Sequence, residues 1–208
     1  MQYAFWIVGN AMAGFMDFCI GAYIAQVLLY INEVPWAWWP IFVGGFLALL
    51  PDMDIAFQIL RGRVVGNHRE SLMHMPLLII PSAVVAAWIV GGNLWALIAF
   101  LCVLWHYLHD TLEGIKWFSP FFSQSFFCYR GRVPLEAGNH ASFVQKVWLV
   151  PNPRTLIEWS FGCGALYGAF PLTPTGPGQV NFFMLALLFV PFVVWGAYWL
   201  YNKKPAPQ

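Results

Sequence analysis

Residues 91–110 read GGNLWALIAFLCVLWHYLHD, and everything else in the chain can be read outward from them. Leu94 to Trp105 is an unbroken apolar run, introduced by the turn-forming Gly91-Gly92-Asn93. It ends on His106, His109 and Asp110, packed within little more than one helical turn. Such side chains are costly near lipid and persist there when they pair or hold a ligand. The contrast recurs elsewhere. Pro51-Asp52-Met53-Asp54 interrupts a second apolar run, His68-Arg69 and His74 precede a third, and His140 lies further on. Histidine, aspartate and a water are the usual surroundings of a hydrolytic divalent metal, so these groups point to a metal site at one membrane face.

Composition agrees. Of 208 residues, 60% are hydrophobic and 9% charged, whereas a soluble domain carries about 25% charged residues. This is the profile of an integral membrane protein, in one membrane-embedded domain over 1–208. A net charge of +1 gives no reason to expect a nucleic-acid partner. Cys19, Cys102, Cys128 and Cys163 are scattered with no CxxC pair, which argues against a disulfide framework or a zinc knuckle.

A spanning helix needs about 20 apolar residues. The pattern predicts an all-α polytopic bundle of about six transmembrane helices, near 4–31, 35–60, 74–91, 94–113, 155–171 and 180–201. The first run is too long for a signal peptide. The second is broken at Pro51, and the fifth is the weakest, diluted by Glu158 and glycines. With six spans, all ten Lys and Arg residues fall on one side, which predicts an inner-membrane protein with both termini cytoplasmic. Every histidine, and Asp52, Asp54 and Asp110, then sits at or beyond a cytoplasmic span end.

His106 and Asp110 lie four apart and project from one helix face, a workable spacing for two ligands of one ion. His109 lies about 60° away on the same helix. Asp52 and Asp54 point the same way if the backbone between them is extended or turned; capping after proline would explain one carboxylate but not both. His68 and His74, six apart, diverge by about 240° on a continuous helix and can face one ion only if the segment between them turns. Arg69 suits an anionic group such as phosphate. The aromatic stretch Lys116 to Tyr129 reads as an interfacial belt, or as a wall of a site for a lipid substrate. Asp17 and Glu158 have no assigned role.

The order of these motifs resembles the YdjM-like family of inner-membrane proteins, which are classed as metal-dependent hydrolases. The family's Leu-Pro-Asp-Ile-Asp is matched by Leu50 to Asp54. Its His-Arg-Gly-x-Thr-His-Ser is echoed by His68-Arg69 and His74. Its Ser-His-x-x-x-Asp, with the following Gly-Val and Trp-Pro-Phe, is matched by His106, Asp110, Gly114-Ile115 and Ser119-Pro120-Phe121. The likeness covers about 45–121. Three departures stand out: an extra residue between the two histidines, with Met73 and Met75 flanking the second; Trp105 in place of Ser; and no early histidine in the first span. The resemblance implies hydrolysis, and an analogy to zinc phospholipase and nuclease sites suggests a phosphoester.

The resulting expectation is a hydrolase at the cytoplasmic membrane face, acting on a lipid or phosphoester. It would use one or two divalent ions, zinc first, then manganese or magnesium. Asp54, His68, His106 and Asp110 are the expected ligands, with Asp52 and His74 next at the same pocket. Arg69 would steady the substrate, and Asp52 or Glu113 would act as base. The alternative is a membrane metal-binding or transport protein, which would need polar groups along the midplane of several spans. A non-catalytic scaffold would need a closed metal shell.

Overall fold

The computed structural model describes residues 2–61, 71–111, 115, 117–118, 121, 144–145, 147–170 and 186–203. Among these, the regular structure is entirely helical. Helix α1 (Gln2–Ile31) runs 30 residues, about 45 Å at 1.5 Å per residue. Helix α2 (Trp39–Ala48) begins with Pro40 in its first turn and stops before Pro51. Proline has no N–H to continue the ladder. A 3-10 turn (Leu50–Asp52) carries the chain into α3 (Met53–Leu60), bent by 62° from α2.

A second 3-10 turn (Leu72–His74) leads into α4 (Pro76–Thr111). Two helices are long and apolar enough to cross a membrane, Tyr3–Ile31 and Pro76–Asp110, and the bent pair α2–α3 is a third candidate. Yet α4 is not one rod. Gly92 has φ 75° and ψ −163°, a backbone region that is essentially glycine-only. On a straight helix, His74 and His106 would stand about 48 Å apart; their ring centroids are 5.9 Å apart. The chain therefore doubles back at Gly92, at the predicted turn. Ala83, Ile79 and Ile80 of the outgoing limb pack with Val103 and Tyr107 of the returning one. The limbs, 16 and 19 residues, measure about 24 and 28 Å, close to the roughly 30 Å of a bilayer core.

Helix α5 (Pro153–Ala169) starts on Asn152, whose side chain accepts the Arg154 N–H at 2.9 Å, with Pro153 as first residue. Helix α6 (Val190–Asn202) closes the described set. It is tied in by Trp195 Nε1 donating to the Trp148 carbonyl at 3.0 Å and by Gln145 donating to Tyr198 Oη at 2.6 Å. Helices α5 and α6 overlap the expected fifth and sixth spans, though neither as described is among the helices long and apolar enough to cross a membrane, and the turn predicted at 171–178 lies outside the described residues.

Helix α1 is the hub, touching α2, α5 and the returning limb of α4. Its seam with α2 is built on small residues. Gly21 and Gly44 approach so closely that a Cβ on either would fall 2.3–2.4 Å from the other's carbonyl oxygen, with Ala25 and Ala48 beside them. Absent side chains let the backbones meet, the usual way membrane helices associate. On its other side α1 meets aromatics: Phe15 stacks on Trp159 of α5, centroids 4.0 Å apart.

Candidate metal centre

The α4 hairpin brings its two ends together, and the bend between α2 and α3 delivers Asp52 to the same place. Pro76 shapes one side. It forces Met75 into extended backbone (φ −103°, ψ 97°), which ends the 3-10 turn at His74. Tyr107 on the returning limb donates to the Met73 carbonyl at 2.6 Å and pins that turn. Ser71 Oγ lies 3.5 Å from His74 Nδ1, which turns Nε2 inward.

Four ligand atoms, one each from Asp52, His74, His106 and Asp110, lie within 4.8 Å of one another. His74 Nε2 is 3.4 Å from Asp52 Oδ1 and 3.5 Å from Asp110 Oδ2. His106 Nε2 is 3.7 Å and 3.4 Å from the same two oxygens. Two ligands on a tetrahedral ion with bonds of about 2.0–2.2 Å sit about 3.3–3.6 Å apart. Both histidines are sealed from solvent, whereas the Asp52 side chain is 25% accessible and that of Asp110 13%. Neither ring nitrogen of His106 has a hydrogen-bond partner among the described residues. Two inward imidazoles facing two carboxylates, with buried nitrogens left over, suit a cation.

The sequence placed the site's residues unevenly. His106 and Asp110 share the cluster, as their four-residue spacing suggested. Asp52, expected as a further ligand or as base, supplies a cluster atom, and Asp54, expected as a ligand, does not; its Oδ1 accepts the Ile55 N–H at 2.8 Å. The reason is local backbone. Residues 50–60 are helical rather than extended, so side chains two apart diverge by about 200° instead of pointing together. His74 lies inside the cluster despite the extra residue between it and His68. His106, read as near water, is 1% exposed. His68, Arg69, Glu113 and His140, and most of the aromatic stretch from Lys116, lie outside the described residues.

A second buried polar group adjoins the first. Asp17, 3% exposed near the middle of α1, accepts from Trp105 Nε1 at 2.9 Å and meets His109 Nδ1 at 3.1 Å. His109 Nε2 faces Glu158 Oε1 at 3.7 Å, and Glu158 in turn takes the Arg154 Nε–H. The clue in the sequence was an acid in mid-span, but its partners lie 88 and 92 positions away.

With this geometry in place, comparison with known proteins adds one match: the family model described as YdjM inner membrane protein fits residues 12–176, 165 of the 208 positions. The chain belongs to the YdjM inner membrane protein family. All four cluster residues fall inside the matched segment, as do Asp17, His109 and Glu158. Neither the curated proteins nor the solved structures give a match. This YdjM-family chain is thus a membrane protein with apolar helices and a cluster able to hold a metal ion.

Proposed function

We propose that the chain is a membrane-bound, metal-dependent hydrolase whose ion is held by Asp52, His74, His106 and Asp110. The observation that carries this reading is the convergence of four donor atoms, from three separate stretches of chain, within 4.8 Å. Two imidazoles with two carboxylates suit zinc first, and manganese or magnesium next. Four protein donors would fill a tetrahedral ion, so turnover would need the partly open Asp52 to yield a position to water; such an ion would then lower that water's pKa and polarise a phosphoryl or acyl oxygen.

The protein's own groups do the rest. His74 and His106 form the sealed floor of the site, and the partly open Asp52 edge is where water and substrate reach it. Arg69 holds the anionic part of a phosphoester or lipid headgroup. Glu113, three positions beyond Asp110, takes the proton from the attacking water. The four-atom group includes no atom of Asp54, and His68 lies outside the described residues. The segregation of Lys and Arg supports a cytoplasmic site with both termini on that side. Cysteines placed at Gly92 and Gly176 are then labelled by impermeant reagents in intact cells, and one at Pro207 only after lysis; tail labelling in intact cells would reverse the orientation.

Metal analysis of detergent-purified protein, together with hydrolysis of chromogenic phosphoesters before and after chelation, tests the reading. We expect a bound divalent ion and chelator-sensitive turnover. A protein that binds no divalent ion would sink it.

One observation favours a second reading. Buried acids and imidazoles continue past the cluster through Asp17, His109 and Glu158, as a path for ions would require. Metal uptake into proteoliposomes, absent on the hydrolase reading, separates the two.

A further inference from the structure

The cluster uses only one edge of the His106 ring. Its Nε2 faces Asp52 and Asp110, while Nδ1 points the opposite way, toward Asp17 Oδ2 at 3.7 Å. We propose that Asp17 is the positioning residue of His106, holding the ring's proton on Nδ1 so that the Nε2 lone pair is presented to the ion. The proposal rests on the reading that the four-atom group binds a metal.

An imidazole that ligates through Nε2 is neutral and carries its one proton on Nδ1. That N–H is buried here, and Nδ1 has no hydrogen-bond partner among the described residues. Metal-bound histidines almost always give this second N–H to a carboxylate, a carbonyl or water, which fixes both tautomer and ring orientation. The carboxylate facing Nδ1 is Asp17. The 3.7 Å gap is about 0.8 Å longer than a common N–H···O bond, a distance that a small tilt of the ring closes.

Asp17 is itself clamped. Trp105 and His109, one turn apart on the returning limb with rings parallel within 11°, hold it: Trp105 Nε1 donates to Oδ1, and His109 Nδ1 lies 3.1 Å from Oδ1 and 3.2 Å from Oδ2. His109 is steadied in turn by Glu158, and Glu158 by Arg154 on the same face of α5. Three helices thus fix one carboxylate against the back of one ligand. This gives the departure at Trp105 a purpose: its indole N–H supplies a donor to Asp17, and its position beside His106 in sequence places that donor next to the ligand.

Titration of the full-length protein in detergent with Co²⁺ tests this, because the visible spectrum of Co²⁺ reports its ligand geometry without any turnover. Asp17→Asn is expected to weaken Co²⁺ binding by about 10–100-fold and to alter the spectrum. Trp105→Phe, which loosens Asp17 but keeps every ligand and the carboxylate, is expected to weaken it several-fold. A purely structural Asp17 would lower thermal stability yet leave the affinity and spectrum of the folded protein unchanged. That result, with wild-type protein binding Co²⁺ and His106→Ala losing it, overturns this proposal and leaves the metal site standing. If Asp17→Asn does not fold, Trp105→Phe decides, and wild-type affinity in that variant overturns the proposal. Should wild-type protein bind no Co²⁺, the metal-site reading fails and takes this one with it.

Discussion

Helix α1 makes two contacts of opposite chemistry. Toward α2 it offers Gly21 and Ala25 and meets Gly44 and Ala48, a seam that works because almost nothing projects from it. Toward the returning limb of α4 it offers Asp17, which meets Trp105, His109 and, at longer range, His106. In a bilayer neither contact draws on the hydrophobic effect, since lipid is as apolar as the helices themselves. The first contact depends on shape alone. The second depends on charge and direction, which is also what a metal site needs. Asp17 and Gly21 are four residues apart, about 40° around the helix, so α1 separates the two tasks along its length rather than around it, and substitutions at the two levels should fail in different ways.

The sharpest break is expected at the cluster. His106→Ala and Asp110→Ala should each abolish metal content and hydrolysis, measured on purified protein. Full metal occupancy in His106→Ala would make that residue structural. Because His106 is buried beside two carboxylates, its loss should also lower thermal stability, by an amount typical of an uncompensated buried charge, about 3–5 kcal/mol.

At the glycine level the expected effect is on stability alone. Gly44→Ala puts a Cβ 2.4 Å from the Gly21 carbonyl and 2.6 Å from Ala25 Cβ, so the helices must part, at a cost of about 1–3 kcal/mol. Metal content per folded molecule should not change. Gly164→Ala on α5 meets no atom within 4 Å, and should be neutral or stabilising by up to about 1 kcal/mol. If both glycines tolerate alanine equally in thermal unfolding, the seam is not held by shape.

Gly92→Ala comes next and isolates backbone strain from packing. A Cβ there meets nothing within 4 Å, yet φ is +75°, so the cost, about 1–3 kcal/mol, is conformational only. The hairpin should loosen, and with it the approach of His74 to His106. Paired cysteines at the positions of Ala83 and Val103 should then crosslink more slowly than without the substitution. The smallest effect is expected for His140→Ala, which should leave metal content and turnover near the wild-type level.

What could be read in the sequence depended on how far apart the deciding residues lie. The apolar runs, the interruption at Pro51 and the reversal at Gly92 are local signals, and each has a local physical cause. The pairing of His106 with Asp110 is also local, being one turn of helix. Choosing between Asp52 and Asp54 required knowing whether the backbone there is helical or extended, which composition leaves open. Placing His74 required the hairpin to close, and giving Asp17 a role required α1 to dock beside a helix that begins some sixty residues later. Spacing rules describe one element at a time, and this site is made where several elements meet.

The burial of Asp17 also has a consequence in time. Helix α1 leaves the ribosome well before α4, with a carboxylate at its middle and Trp105, its nearest partner in sequence among the described residues, 88 residues behind. At about 5–20 residues per second, the wait is roughly 4–18 seconds. During it a charged Asp at mid-bilayer would cost about 2.5–3.5 kcal/mol on an insertion scale. The nascent helix therefore has reason to stay shallow or near the translocon until the returning limb arrives. The ion pairs that later brace the site would then also mark the moment at which the first helix can settle.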